Sequence, residues 1–224
     1  TTLTRYQGAI RIHINPHLGG KPITQVTGKD VQKLYDALAS HGNQITGKGL
    51  ASSTIRGIHS MLHEAMDAAK QAGLIPWNPT EEIPTPKFAC KVKQILTDEQ
   101  LDIFMAIIQQ DDIWHDFFYT ELTTGLRRGE ICGLKWTDFD EIDGTLKVRR
   151  TIHQEKGGKL TAWDTKTAAG ARTIILPPST VELLRERQKS ALTEWIFPDP
   201  LRPEQPTRPS AAYNRMKSLL KKAD

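Results

Sequence analysis

The chain has 224 residues, enough for one large domain or two small ones and enough to bury a core without disulfide support. No apolar run approaches the roughly 20 residues of a membrane span, and the mean hydropathy is −0.45, so we expect a soluble protein without a membrane partner. The 30 Lys and Arg exceed the 26 Asp and Glu, and the pI is near 9.0. This mild basic excess suits a polyanionic partner, although many soluble enzymes share it.

Only two cysteines occur, Cys90 and Cys132, and no secretory segment precedes them. This usage indicates a reducing compartment and predicts a cytoplasmic protein, although spacing alone leaves a bond between the two open. The first residue is Thr1 rather than Met, so we expect an internal piece of a longer protein.

The first block of the sequence is helical. We predict helices over TLTRYQGAIRIHINPHLG, over GKDVQKLYDALAS behind Thr27 as N-cap, and over ASSTIRGIHSMLHEAMDAAKQAG, which Gly73 closes as a C-cap. In the third helix, apolar residues at steps of three and four form one stripe: Ile55, Ile58, Met61, Leu62, Ala65 and Ala69. The pattern predicts a small all-α domain over residues 1–77.

A proline-rich stretch, PWNPTEEIPTPKFACKVK, follows this domain. Its prolines are too dense for a continuous helix. We therefore predict an extended, basic linker over residues 78–95 and a second domain over residues 96–224.

Capping boxes mark two helices of the second block. Thr97 with Gln100 predicts a helix over DEQLDIFMAIIQ, and Ser179 with Glu182 predicts one over STVELLRERQKSAL. SAAYNRMKSLLKKA predicts a last, lysine-rich helix.

Between these helices the pattern is mixed. Ile113–Thr123 predicts a helix that Gly125 would end, and Arg127–Lys135 restarts it. The runs TLKVRRTI, KLTAWDTKT and ARTIILP alternate between glycine-bearing turns and predict three antiparallel strands. The expected fold class is mainly α with a small antiparallel β-sheet (α+β).

The stretch TTGLRRGEICGLKW places two arginines where one predicted helix ends and another begins. If the helix starts near Arg127, then Glu130, Ile131 and Leu134 lie on its face, while Arg128 points elsewhere. A guanidinium group in the first turn meets the positive end of the helix dipole, so it needs a bound anion such as phosphate or a compensating carboxylate. Glu130 would hold the Arg127 side chain while the apolar pair anchors the helix. The alternative is an Arg–Glu pair on a solvated face.

The longer stretch TGLRRGEICGLKWTDFD, Thr124–Asp140, resembles the first active-site box of the tyrosine recombinases, or phage-type integrases, which reads TGxRxxEhxxLxWxDhD. The matching positions are Thr124, Gly125, Arg127, Glu130, Leu134, Trp136, Asp138 and Asp140. The order of predicted elements agrees as well, and the wording is most similar to integrases of conjugative transposons. The resemblance implies a helical SAM-like core-binding domain followed by a mixed catalytic domain.

The same resemblance implies catalytic roles for Arg127 and Glu130, and for a lysine in the following hairpin. Lys166 in WDTKTAAGARTIILP fits that lysine, which would protonate the leaving 5′ oxygen as a general acid. In this family a tyrosine attacks a DNA phosphate to form a 3′-phosphotyrosine link, and arginines stabilise the pentacovalent phosphate. Neither a metal nor a cofactor is implied. Competitors for the lysine role are Lys147, Lys156 and Lys159.

The remaining parts of the family's site are absent from these 224 residues. A His-x-x-Arg box and the tyrosine nucleophile would follow the lysine-rich last helix. The only histidine after Arg127 is His153, with Lys156 in place of an arginine, and the only tyrosine is Tyr213, which we expect to pack on the last helix. We therefore predict a catalytically incompetent fragment of a site-specific recombinase of a mobile element. The alternative is a non-catalytic DNA-binding protein on the same scaffold.

DNA binding does not depend on the missing parts. We expect double-stranded DNA as the partner, with further copies of the chain as dimer to tetramer on paired sites, in a bacterial or phage-type, nucleoid-associated setting. Arg150 shares a strand face with apolar residues, so it would be buried and paired or aimed at a phosphate. Every other candidate has a solvated surface residue as its alternative. The candidate contacts are Arg5, Arg11, Lys48, Arg56, His59, Lys87, Lys91, Lys93, Arg128, Arg149 and Arg150.

Overall fold

The structure is a computed structural model that describes residues 2–84, 95–155, 157–164 and 171–223. The chain divides into two compact units, Thr1–Lys93 and Gln94–Asp224. Each unit has its own hydrophobic core. The division falls later in the sequence than residue 77, the expected end of the first domain.

The described part of the first unit is helical. Its elements are α1 (Thr2–Ala9), a π-helical segment (Ile10–Ile14), α2 (Asn15–Leu18), a 3₁₀ turn (Ile23–Gln25), α3 (Gly28–His41) and α4 (Ser52–Gln71). The first predicted helix therefore contains a wider turn, in which the Asn15 N–H donates to the Ile10 carbonyl. The turn lies just before Pro16, which has no N–H to continue the α-helical ladder.

Local capping chemistry sets the ends of α3 and α4 as predicted. The Thr27 side chain accepts the Asp30 N–H, and Asp30 in return accepts the Thr27 N–H at 3.0 Å. After α4, Gly73 has a φ of +71°. The Leu74 N–H donates to the Ala69 carbonyl at 2.9 Å, and this closes the helix in a Schellman arrangement.

The apolar stripe of α4 packs against α3, and five of its six predicted members are buried. Ala65 is the exception: it is exposed, and Met66 is buried instead. Met66 lies four residues after Leu62 and three before Ala69, so it continues the stripe, whereas Ala65 is turned about 100° from it.

Residues 78–84, expected to begin an extended linker, belong to the first unit. The Asn78 side chain is fully buried and donates to the His63 carbonyl at 3.2 Å and to Asp67 Oδ1 at 2.7 Å, both on α4. Asn78 Oδ1 accepts the Thr80 N–H at 2.9 Å, and Ile83 packs on the core. The polar side chains between the prolines thus have fixed partners, which an extended linker would lack. Lys87, Lys91 and Lys93 lie outside the described residues.

The second unit combines helices with short antiparallel strands. The helices are α5 (Asp98–Gln109), α6 (His115–Thr124), α7 (Arg128–Ile131), a 3₁₀ turn (Trp136–Asp138), α8 (Pro178–Lys189) and α9 (Pro209–Ala223). The strands are β1 (Phe139–Asp140), β2 (Thr145–Val148), β3 (Arg150–Gln154), β4 (Leu160–Asp164), β5 (Arg172–Ile175), β6 (Pro198–Asp199) and β7 (Arg202–Pro206). The predicted fold class, mainly α with small antiparallel sheets, is confirmed. In the described ranges no helix is long and apolar enough to span a membrane.

The strands pair differently from the prediction. TLKVRRTI, predicted as one strand, breaks at Arg149. β2 pairs with β1 and β5 in one sheet, whereas β3 pairs with β4 in another. Alternation along a strand shows which face is inward but not which strand lies beside it, so the change of partner is invisible locally.

Helix ends in the second unit are partly as predicted. The Thr97–Gln100 capping box is present, and α6 ends at Gly125 with a φ of +63°. The Ser179–Glu182 box is wrong: α8 starts one residue earlier, at Pro178, without a side-chain cap. Proline at the first helical position has its φ already set and no N–H to satisfy, so no cap is needed there.

The core of this unit holds α7 in place. Ile131 and Leu134 are buried among aromatic side chains of α5 and α6, as predicted for the anchoring pair. A Cβ on Gly129 would lie 2.4 Å from Thr151 Oγ1 and 3.0 Å from the Ile152 carbonyl oxygen, so α7 touches the backbone of β3. This close contact fixes where the side chains at the start of α7 point.

Candidate functional site

Arg127 lies at the N-cap of α7, one residue before the helix, with extended backbone. It was predicted in the first turn, and the helix is shorter than predicted, ending at Ile131 rather than Lys135. A single turn has only a weak dipole, so the dipole argument for a phosphate does not apply here. The observation that remains is exposure: the Arg127 side chain is 78% exposed although one nitrogen is bound to Glu130.

Glu130 is the centre of what we call the Glu130 junction, formed by Arg127, Glu130 and Arg172. Its Oε1 accepts from Arg127 Nη1 at 2.9 Å and from Arg172 Nη1 at 3.0 Å. Its Oε2 accepts from the Arg127 backbone N–H at 2.9 Å and from Arg172 Nη2 at 2.8 Å. Four donors saturate the two carboxylate oxygens, and the predicted Arg127–Glu130 contact is confirmed.

The Glu130 carboxylate stays ionised because of these donors. Burial alone would raise its pKa, but the hydrogen bonds from Arg172 and then from Arg127 lower the pKa to about 2. The same contact raises the pKa of Arg172 above its ordinary value. The junction therefore carries two guanidinium cations and one carboxylate, a net charge of one positive.

Arg172 was not among the sequence candidates. It starts β5 opposite Val148 and shares the inner face of the strand with Ile174. An arginine at an inward strand position needs an anion, which is the argument that the sequence analysis applied to Arg150 alone. The signal for Arg172 was therefore present in ARTIILP.

Asp138 is the centre of a second cluster, the Asp138 junction, with Arg149 and Arg150. Its side chain is 1% exposed and accepts from both terminal nitrogens of Arg150 and from the Lys135 N–H at 2.9 Å. Arg150 also donates to the Gly133 carbonyl at 2.9 Å. Of the two alternatives for Arg150, the structure shows the paired one. Arg149 is exposed, with Nε 3.8 Å from Asp138 Oδ1.

Arg128 faces away from Glu130, as predicted, and lies over the Tyr213 ring at 5.1 Å from its centroid. Lys217 lies 5.6 Å from the same ring. Tyr213 is 49% exposed, so the expected packing role is wrong: the inward face of α9 carries Ala212 and Leu219 instead.

The other lysines and the cysteines add little to this geometry. Lys166 and Lys156 lie outside the described residues, and Lys147 and Lys159 are exposed. Cys132 is buried, which raises its thiol pKa, and Cys90 also lies outside the described residues. Within the described ranges, no three His, Cys, Asp or Glu side chains are placed to hold a metal ion.

In the first unit, the arginine and lysine candidates are exposed and one histidine is not. Arg5 lines a cleft between α1 and α4, the helix that carries Arg56 and His59. His59 is half-buried, with Nδ1 2.8 Å from the Tyr35 hydroxyl. Burial, followed by the positive neighbours His63 and Arg56, lowers its pKa, so it is neutral near neutral pH. The exposed candidates are Arg5, Arg11, Lys48 and Arg56.

Comparison with known families places this geometry. Residues 94–224, more than half of the chain, match the phage integrase family, and residues 1–39 match the N-terminal SAM-like domain of phage integrases. The chain belongs to the phage integrase family. The residues of both junctions, Arg127, Glu130, Asp138, Arg149, Arg150 and Arg172, all lie inside the family match.

Relatives of this integrase chain are recombinases of bacteria and phages. It is 29% identical over 210 residues to the "Tyrosine recombinase XerC-like" of Caldanaerobacter subterraneus subsp. tengcongensis, covering 87% of this chain and 52% of the relative. It is 26% identical over 167 residues to the ICEBs1 integrase of Bacillus subtilis, covering 74% and 45%. The chain spans about half the length of the curated relatives it matches.

Solved structures show the same fold. The Tn1549 transposon integrase in complex with transposon right end DNA has a TM-score of 0.84 and 23% identity, covering 100% of this chain and 72% of that one. A lambda integrase dimer bound to a COC′ core site has a TM-score of 0.71 and 23% identity, covering 99% and 74%. The predicted tyrosine recombinase architecture is confirmed.

Proposed function

We propose that this integrase chain is the core of a site-specific DNA recombinase that integrates and excises a mobile element through a 3′-phosphotyrosine intermediate. One observation carries the proposal: a 78% exposed arginine, Arg127, is fixed in place by a carboxylate that is itself 7% exposed. That arrangement occurs in a chain of the phage integrase family, and solved structures of the same fold contain DNA.

The geometry of the Glu130 junction suits a phosphate. Among the described residues the Arg127 guanidinium makes one hydrogen bond, to Glu130, so its remaining N–H groups face solvent. A guanidinium group binds two phosphate oxygens at once and remains charged at every working pH. Because Glu130 already holds it, no reorganisation is needed as negative charge develops on the pentacovalent phosphate. Lys166 is proposed as the general acid.

Further basic side chains would bind the duplex backbone around this site. Arg128 and Arg149 are exposed beside the two junctions, and the linker lysines Lys87, Lys91 and Lys93 add charge between the units. We assign Arg150 an indirect role, because its guanidinium is committed to Asp138 and to the Gly133 carbonyl. The proposed contacts of the first unit are Arg5, Arg11, Lys48, Arg56 and the neutral His59.

The assembly would follow from the chemistry. Recombination joins two DNA sites, so we propose that copies of the chain act together, as dimer to tetramer, on double-stranded DNA. The place of action would be the cytoplasm, at the nucleoid.

A second candidate function is DNA binding without catalysis. It is favoured by one sequence observation: no His-x-x-Arg box follows Lys166 within the 224 residues, and the only tyrosine there is Tyr213. The Tyr213 ring lies between Arg128 and Lys217, which is a surface contact rather than a nucleophile's site. The gene beyond codon 224 separates the two candidates: a His-x-x-Arg box and a tyrosine support the recombinase, and an immediate stop codon supports the non-catalytic protein.

Titration of the chain onto a pool of labelled duplexes at several salt concentrations tests the proposal. Half of each sample is denatured in detergent to reveal covalent adducts. We expect binding that weakens steeply with salt and leaves no adduct, since phosphate contacts release counterions and these residues lack the nucleophile. An adduct that disappears in Tyr213→Phe would instead make Tyr213 the nucleophile. No binding at low salt would contradict both candidate functions.

A further inference from the structure

Arg172 is the strand member of the Glu130 junction. Its side chain is 33% exposed, and its two terminal nitrogens donate to both oxygens of Glu130, at 3.0 and 2.8 Å. We infer that Arg172 is a positioning residue of the recombination site, which acts on Arg127 through Glu130. The inference rests on the proposed function, because it concerns the presentation of Arg127 to a DNA phosphate.

Electrostatics gives Arg172 its first effect. A pair of Arg127 and Glu130 alone would be neutral and would attract a phosphate only weakly. Arg172 neutralises Glu130, so the positive charge of Arg127 remains available on the surface. The difference matters because Arg127 is the exposed member of the junction, at 78% against 33% for Arg172.

Geometry gives the second effect. Glu130 lies on a single helical turn, which cannot by itself fix a side chain, whereas Arg172 lies on a strand that pairs with β2 along four residues. The two parallel hydrogen bonds orient the carboxylate plane, and that plane orients Arg127. A bound group is held best when its support is itself locked on a rigid element.

Loss of Arg172 would change how Glu130 titrates. Two of its four hydrogen bonds would disappear, and the burial that favours the protonated acid would then be opposed by Arg127 alone. We therefore expect the pKa of Glu130 to rise from about 2 toward or beyond its ordinary 4.5 in Arg172→Gln. At a pH below that value a neutral Glu130 no longer holds Arg127.

The test compares Arg172→Gln with a matched control, Arg208→Gln. Arg208 is 32% exposed and binds a buried carboxylate, Asp199, at 2.7 Å in the same unit, but it makes no contact with Glu130. Both variants lose one charge and one half-exposed arginine. Arg172→Lys keeps the charge without the two-pronged contact, and it carries the test if Arg172→Gln does not fold by circular dichroism.

Two readouts are measured on the whole chain. The ¹³C shift of the Glu130 carboxyl reports its pKa without DNA, and the affinity for the labelled duplex pool is measured from pH 5 to 8. We expect Arg172→Gln to raise the Glu130 pKa and to weaken DNA binding about tenfold at pH 7, and further at pH 5. Arg172→Lys should recover most of the affinity at pH 7 but not at pH 5. Arg208→Gln should leave the Glu130 titration unchanged and the pH profile flat.

Each contrary outcome has its own meaning. An unchanged Glu130 titration in Arg172→Gln and Arg172→Lys would overturn the inference, because Arg172 would not hold the carboxylate. A raised pKa with the same DNA affinity and pH profile as Arg208→Gln would also overturn it, since the contact would be structural only. If the unsubstituted chain binds no duplex, the proposed function fails and the positioning role fails with it, even where the titration shows the contact intact.

Discussion

The Glu130 and Asp138 junctions use the same ion-pair chemistry and differ in which member is exposed. Both carboxylates are buried, at 7% and 1% exposure. At Asp138 the bound arginine, Arg150, is only 16% exposed, whereas at Glu130 the bound Arg127 is 78% exposed. A covered arginine can only support the fold. An arginine that is held from below and open above can bind something else.

This difference separates stability from binding. Removing one partner of a covered ion pair leaves an uncompensated buried charge, which is costly, whereas an exposed pair contributes little. Substitutions at Asp138 should therefore act on folding, and substitutions at Arg127 should act on DNA affinity. The predictions that follow test that separation.

The largest effect is expected for Asp138→Asn. It leaves Arg150 half-covered and without a carboxylate, so we expect the free energy of unfolding to fall by about 3 to 5 kcal/mol. Urea denaturation followed by circular dichroism measures the change. The control is Glu194→Gln, whose side chain is 59% exposed beside Lys135. A loss as small for Asp138→Asn as for this control would contradict a structural role for the Asp138 junction.

An acid-dependent effect of intermediate size is expected at Glu130. Its pKa in the folded chain, about 2, lies below the ordinary 4.5, so its contribution is complete above pH 4.5 and is lost as the pH falls toward 2. The contribution is on the order of 2 to 3 kcal/mol. We expect Glu130→Gln to be less stable at neutral pH and to lose less stability on acidification. Urea midpoints between pH 2.5 and 6 that run parallel for the two proteins would refute this.

A small effect on stability is expected for Arg127→Gln. Glu130 keeps both hydrogen bonds from Arg172 and the Arg127 backbone N–H, so the free energy of unfolding should change by less than about 1 kcal/mol. Urea denaturation beside Asp138→Asn checks the expectation. If Arg127→Gln were as destabilising as Asp138→Asn, the distinction between the two junctions would fail.

The smallest effect is expected for Arg149→Gln. Arg149 is 53% exposed and lies 3.8 Å from Asp138, too far for a hydrogen bond. We expect a change in unfolding free energy within about 0.5 kcal/mol by the same denaturation measurement. A larger loss would show that Asp138 depends on both arginines rather than on Arg150.

Features that depend on a few neighbouring residues were predictable from the sequence. The caps at Thr27 and Thr97 and the helix ends at Gly73 and Gly125 involve contacts within one or two turns. The Arg127–Glu130 contact spans three residues and was predicted for the same reason.

Features that depend on distant partners were missed. Arg172 meets Glu130 across 42 residues of sequence, and Asn78 is fixed by α4 through side chains that no local pattern pairs with it. The strand break at Arg149 depends on which strands lie alongside, and the prediction of one continuous strand was wrong. The start of α8 was misplaced because Pro178 made the Ser179 cap unnecessary.

The most direct test of the central claim is the salt dependence of DNA affinity for the unsubstituted chain, Arg127→Gln and the control Arg208→Gln. If the exposed arginine of the Glu130 junction contacts a phosphate, the slope of log affinity against log salt should fall by about one in Arg127→Gln and remain unchanged in Arg208→Gln. Equal slopes for all three proteins would mean that Arg127 does not contact the DNA backbone, and would contradict the account.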